Sequence, residues 1–197
     1  MPLKRLLIAV DSGHGGSDPG ACGNGLREAD LTADFADRFA KLARAAGHQA
    51  ILVGQAPAPD TCIPPGDRGR TAVAKHCNLL ISFHINAASS LAHGFQVWYH
   101  GGDARSQTLA KRIHFTVTDA IPQWAGSASR IAADTERYAS GFAVLRAAFQ
   151  AMPAVLLEIG FISNRFDVQL LQDPMLKQAT VIEILAALTA SLAHGGP

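Results

Sequence analysis

Cysteine is scarce and unpaired in this sequence. Cys22, Cys62 and Cys77 are three, with no recognisable spacing. An odd count without a motif argues against a disulfide framework. Charge is sparse as well: charged residues make up 17% of the chain, the formal net charge is +1, and the basic residues are scattered. That leaves no electrostatic footprint for nucleic acid. No apolar run approaches the roughly 20 residues that a transmembrane helix needs. No internal repeat is visible. Met1-Pro2-Leu3-Lys4-Arg5 has the charge of a secretory leader, but the apolar run behind it stops at Asp11 and no small-residue cleavage site follows.

What is present is a hydrophobic content of 48% over 197 residues. That is enough to fold compactly and to bury a core without staples. The expectation is a single domain over residues 1–197, with its core at about 5–193. Three apolar runs stand out, each ending in a functional group. Leu6 to Val10 runs into Asp11 and then Ser12-Gly13-His14-Gly15-Gly16. Asn78 to Phe83 ends at His84. Ala154 to Gly160 contains Glu158. Short apolar runs bounded by turn signals read as strands buried on both faces of a parallel sheet. Ligands in open α/β sheets bind outside the carboxyl ends of such strands. Gly13, Gly15 and Gly16 are expected to supply positive φ around His14.

Between these runs the periodicity changes. Leu31, Phe35, Phe39, Leu42 and Ala46 form one helical stripe, with Asp30 as the expected N-cap and Gly47 as the stop. Glu28 then sits just before the helix or in its first turn. Residues 49–53 read as a strand, residues 56–66 as a Pro-rich exposed loop, and residues 68–76 as a helix. Phe95, Val97 and Tyr99 alternate with Gln96, Trp98 and His100, the pattern of a half-buried strand toward an edge. Leu109, Ile113, Val117 and Ile121 predict a helix. Residues 122–140 carry no assignable pattern. Ser163-Asn164 caps a short helix through Leu171. Asp173-Pro174 opens a last helix carrying Leu176, Ile182, Leu185, Leu188 and Leu192 to Gly195-Gly196. The fold class is α/β.

Catalytic zinc takes three protein ligands and keeps a position for water. Two histidines and one carboxylate, His14, Glu28 and His84, fit that requirement. A single histidine after a strand is more often structural than a ligand. Glu158 is different, because a carboxyl in an apolar strand is costly to bury unpaired. It suits a general base beside the metal. Asp11 either orients His14 or closes the turn. Cys22 lies close enough to count as a further candidate ligand, although free cysteines mostly serve as packing, as Cys77 is expected to. His48, His76, His93, His100, His114 and His194 read as loop or helix-surface residues without a role.

Four blocks resemble the zinc-dependent N-acetylmuramoyl-L-alanine amidases of the Amidase_3 type. They are residues 8–16 with Asp18-Pro19-Gly20-Ala21, then Gly25-Leu26-Arg27-Glu28, then residues 80–87, then residues 153–164. Arg68 and Val144-Leu145-Arg146 also fall in register. The resemblance covers nearly the whole chain, in order. It implies a phosphorylase/hydrolase-like three-layer domain with a central, mostly mixed sheet flanked by helices. It implies one zinc ion held by His14, Glu28 and His84, with Glu158 as the catalytic acid/base. The implied reaction cleaves the amide between the lactyl group of N-acetylmuramic acid and L-alanine of the peptidoglycan stem peptide.

Asn86 and Arg146 are candidate substrate contacts; Asn86 could equally tie down its own turn, and Arg146 could be a plain surface residue. Ser12 departs from the family's usual proline, and the second strand lacks its usual Thr-Arg ending. No spare segment between His84 and Glu158 resembles the blocking insertion of some cell-division amidases, so no activator protein is expected. The alternatives are a zinc exopeptidase acting on free peptides and a non-catalytic peptidoglycan-binding module. With no leader visible, the expectation is an endolysin-like enzyme made in the cytoplasm and acting at the cell wall, or else a trimmed secreted one.

Overall fold

The computed structural model describes residues 5–54 and 60–193. Eight strands occur among them: β1 (Leu7–Ser12), β2 (Cys22–Gly23), β3 (Leu26–Arg27), β4 (Gln49–Leu52), β5 (Leu79–Asn86), β6 (Phe95–Tyr99), β7 (Arg130–Ala133) and β8 (Ala154–Phe161). Six of these form one sheet in the order β4-β1-β5-β8-β6-β7, while β2 and β3 make a small hairpin. The three apolar runs are thus β1, β5 and β8, adjacent and parallel. β6 is antiparallel to β8 and β7 is parallel to β6, so the sheet is mixed, as expected. Six α-helices flank it: α1 (Glu28–Ala45), α2 (Pro65–Ala74), α3 (Ala104–Ala120), α4 (Ala143–Ala148), α5 (Arg165–Gln172) and α6 (Pro174–Ala193).

Strand side chains alternate between the two faces of the sheet. On one face Ile8, Val10, Ile81, Phe83, Val155 and Leu157 pack under Phe35 and Phe39 of α1, Ile113 and Val117 of α3, and Ile184 and Leu188 of α6. On the other, Ala9, Leu80, Leu156 and Trp98 pack under Ala72 of α2 and Val144, Leu145 and Ala148 of α4. Continuing the second alternation toward the strand ends brings up Asp11, Ser82, His84 and Glu158. An apolar side chain fully buried at such a position contributes on the order of 1.5–3 kcal/mol. The fold forgoes that gain at one end of one face, and the functional groups are there.

Several boundaries differ from the sequence-based expectation. Asp30 is not the N-cap: α1 starts at Glu28, and the capping position is Arg27. The β2–β3 hairpin and the turn before it satisfy the free amides instead, with Glu28 N donating to Ala21 O at 2.8 Å and Ala29 N to Pro19 O at 3.1 Å. Gly47 does end the helix, at φ +88°. α2 begins earlier than expected, with Pro65 in its first turn. The Pro-rich stretch at 56–59 and Gly195-Gly196 lie outside the described residues.

β6 is not half-exposed. It lies second from the edge, and both its faces are buried. Its polar alternates tolerate burial because Trp98 Nε1 donates to Gln96 Oε1 at 3.2 Å. The edge strand is β7, inside the segment without an assignable pattern. Ile182 of α6 is exposed; Val181, Ile184, Leu185 and Leu188 form the buried side. The caps at Asn164 and Asp173 are as expected: each side chain accepts from two amides of the first turn that follows. No described helix is long and apolar enough to cross a membrane.

Candidate metal centre

β1 hands the chain to His14 through a turn fixed from several sides. Gly13 N donates to Phe83 O of β5 at 2.9 Å, and Thr32 Oγ1 donates to Gly13 O at 2.7 Å. His14 itself is left-handed, at φ +64°. For a non-glycine residue this costs about 1–2 kcal/mol. Arg68 offsets the cost. Arg68 is 2% exposed, and its guanidinium donates to Ser12 O at 2.6 Å and His14 O at 2.9 Å and lies 3.2 Å from Asp11 Oδ1. Asp11 therefore does not orient His14. It holds Arg68 and accepts from Ser82 Oγ at 2.6 Å.

The group that orients His14 is Asp18, whose Oδ2 lies 2.8 Å from His14 Nδ1. That bond leaves Nε2 as the free ring nitrogen. Gly13 is not among the residues with positive φ, which include Gly15, Gly16 and Gly20. It is needed for space: a Cβ there would lie 2.4 Å from the His84 imidazole.

Glu28, the first residue of α1, reaches both histidines. Its Oε1 accepts from Ile85 N at 3.0 Å and lies 3.0 Å from His84 Nδ1. Its Oε2 accepts from Ala21 N at 2.9 Å and lies 3.2 Å from His14 Nε2. Burial pushes the Glu28 carboxyl up, but the bonds to both histidines and to Ala21 outweigh it and hold it far below the carboxylate range. His14 shows the reverse. Burial disfavours its charge, yet Glu28 and Asp18 raise it to about 9.

Two acidic side chains, Glu28 and Asp18, thus bracket the histidine pair. Ligand-type atoms of His14, Glu28 and His84 lie within 4.8 Å of one another. Two imidazole nitrogens with one carboxylate oxygen fit the donor preferences of zinc. Cys22 is exposed, faces Gly20 O and is outside this cluster.

Glu158 stands in register with His84 on the neighbouring strand. Its residue is 8% exposed, and Oε2 is buried with no hydrogen-bond partner in the protein. Burial drives its pKa up to about 7; the charges of His84 and Arg137 oppose that, and Glu28 adds to it. A cavity of about 180 Å³ opens here, lined by the polar His14, Asp18, His84 and Glu158 and by the apolar Phe142, Val144 and Leu156. A carboxyl half-protonated near neutrality beside a cation site can both accept and donate a proton.

The two candidate substrate contacts do not line this cavity. Asn86 is buried, donates to Gln96 Oε1 at 3.0 Å and accepts from Ala87 N at 2.8 Å, fastening the end of β5. Arg146 donates to Ser140 O at 2.5 Å and Gly141 O at 3.2 Å, closing the loop before α4. Sequence reasoning missed Asp18. Its signal was an acid four residues past the histidine, in a glycine loop able to fold back. His48 and His100 lie in loops, as expected, but both have structural partners. His48 accepts from Leu6 N, and His100 pairs with buried Asp134 at 3.1 Å.

A mixed α/β sheet that gathers two histidines and a charged glutamate into one cluster, beside a cavity walled by a second glutamate of raised pKa, has the layout of a hydrolase. Comparison with known proteins specifies which. The N-acetylmuramoyl-L-alanine amidase family matches residues 8–190, and the chain belongs to that family. The germination-specific N-acetylmuramoyl-L-alanine amidase of Bacillus subtilis is 30% identical over 189 residues, covering 88% of this chain and 74% of that protein. An endolysin of Bacillus phage SPP1 is 28% identical over 169 residues, covering 84% of this chain and 58% of the endolysin. Among solved structures, the amidase AmiC2 of Nostoc punctiforme superposes with a TM-score of 0.81 at 26% identity, covering 98% of this chain and 99% of AmiC2. The protein is a peptidoglycan hydrolase.

Proposed function

We propose that the chain hydrolyses the amide between the lactyl group of N-acetylmuramic acid and L-alanine with one zinc ion held by His14, Glu28 and His84 and with Glu158 as general base and acid. The observation that carries this reading is the buried, unpartnered Glu158 Oε2 beside the cavity that His14 and His84 also line, with Glu28 bonded to both histidines behind it. A bound zinc ion supplies Lewis-acid polarisation and lowers the pKa of water to about 7. The side chains do the rest. Asp18 fixes the tautomer and direction of His14. Phe142, Val144 and Leu156 keep one wall dry, which strengthens every charge interaction inside.

Glu158, as carboxylate, takes a proton from the attacking water. It then returns that proton to the leaving nitrogen of L-alanine, which would otherwise depart as a poor amide anion. The site of action is the peptidoglycan of the cell wall, and no activator protein is required. The test uses purified zinc-loaded protein and purified sacculi. New L-alanine amino termini without new reducing sugars are expected from this protein alone. Cleavage of free peptides in place of sacculi would favour an exopeptidase, and zinc binding with no turnover would favour a binding module.

A further inference from the structure

Beyond Glu158 the sheet carries an unassigned basic edge. His84, Glu158, Gln96 and Arg130 are successive register partners across β5, β8, β6 and β7. Neighbouring strands are about 4.8 Å apart, so Arg130 lies two strands, roughly 10 Å, from Glu158 along this row. The Arg130 guanidinium sits 4.5 Å from the centroid of the Trp98 ring, and that of Arg137 sits 5.8 Å from it. Arg137 also lies 5.7 Å from the Tyr138 ring. Trp98 is 1% exposed and touches Phe142, a wall of the cavity, with ring centroids 5.7 Å apart. Both arginines are exposed, and among the described residues neither has a carboxylate partner. Arg137 is near enough for its charge to act on Glu158.

This is an unusual disposition of charge. Most of the other arginines near this end of the sheet are spent on backbone or acids, as Arg68 and Arg146 are. Arg130 and Arg137 instead have their flat faces covered by an aromatic ring and their N–H forks open to solvent. Stacking restrains the side chain, so less freedom is lost when the fork closes on a carboxylate. The distance has chemical meaning too. An extended peptide advances about 3.3 Å per residue. A stem peptide cut at its first amide in the cavity and laid along the row reaches the arginines with its second or third residue.

We propose that Arg130 and Arg137, braced on Trp98, form a carboxylate-binding subsite for the second and third residues of the stem peptide. The proposal rests on the amidase reading of the adjoining cavity. It makes the enzyme selective for stem peptides with free carboxylates over their amidated forms.

Binding to a catalytically inert protein tests it. Zinc-loaded Glu158→Gln protein is titrated calorimetrically with a muramoyl tripeptide bearing free carboxylates at the second and third residues, and with the same compound amidated there. The acid form should bind at least ten-fold more tightly. Adding Arg130→Gln and Arg137→Gln should bring the acid form down to the affinity of the amide. Both residues are exposed, so the fold should tolerate these changes, and circular dichroism checks that it does. Equal binding of the two forms, a preference that survives in the arginine double variant, or no binding of either form overturns the subsite. Failure of the parent enzyme to open sacculi would count against the amidase reading alone, because the titration needs no turnover.

Discussion

His84 and Glu158 are cross-strand partners on β5 and β8, which puts a candidate ligand and a buried acid side by side on one face. The pair explains why two strands of otherwise apolar character each carry one polar residue at the same level. If Glu158 is the proton shuttle, Glu158→Gln should keep stoichiometric zinc and lose about 10²–10⁴-fold in turnover. Metal analysis alongside sacculus digestion checks this. Near-parent rates would make Glu158 a structural residue.

The cation site gives a second expectation. His84→Ala should lose zinc and activity together while retaining the fold, and treatment of the parent with a chelator should abolish hydrolysis until zinc is restored. Because a ligand bound to the native state stabilises it by mass action, the chelated protein should also melt at a lower temperature than the zinc-loaded one. A triple alanine variant of His14, Glu28 and His84 that retained stoichiometric zinc would locate the metal elsewhere.

Much of this site is legible in the sequence. Apolar runs that lead into Asp11 and His14, end at His84 and enclose Glu158 reveal buried parallel strands because burial on both faces removes the usual alternation. The asymmetry of the sheet was less visible. β6 reads as half-exposed because Gln96 and Trp98 are polar or amphipathic, and only their mutual hydrogen bond shows how they are buried. β7 has four residues, Arg130-Ile131-Ala132-Ala133, too few and too small for any periodic signal. The roles of Asp11 and Asp18 were not separable either. Both flank His14, and which one meets the ring depends on where Arg68, far away in sequence, claims Asp11.

That exchange of partners is itself testable. Asp18→Asn should weaken zinc affinity by about 10–100-fold, the usual effect of removing a carboxylate behind a ligating histidine. Asp11→Asn should act mainly on stability, by unpairing the buried Arg68. Competition with a chromophoric chelator and thermal melts separate the two. The assignment fails if Asp11→Asn shifts metal affinity more than Asp18→Asn does.

Space around His84 is equally specified. In Gly13→Ala the new methyl group would fall 2.4 Å from the imidazole, well inside contact distance. Since Gly13 N is bonded to Phe83 O, the backbone has little room to retreat, and the ring must move. Zinc affinity and turnover should fall together, while Gly25→Ala, where nothing lies near the added carbon, should leave the metal bound despite its backbone strain. Spectroscopy of the cobalt-substituted protein would report the altered ligand field directly.

Glu158 also predicts a conflict between stability and function in the metal-free protein. Its folded pKa is raised from 4.5 to about 7, chiefly by burial. An unfolded chain gives up this proton near 4.5, while the folded chain keeps it until about 7. Between those values the native state binds more protons than the unfolded state, so stability falls as pH rises. Above the folded pKa the full penalty is present, on the order of 3 kcal/mol. Glutamine has a similar shape and carries no charge. Chelated Glu158→Gln protein should therefore melt higher than the chelated parent at pH 8, by roughly 5–10 °C for a chain of this size. At pH 4, where the carboxyl is protonated in both states, the gain should largely vanish. Paired melts at the two pH values decide the matter: a gain that is equal at both would assign the effect to packing, and no gain at pH 8 would mean that the carboxylate is already well solvated in the cavity.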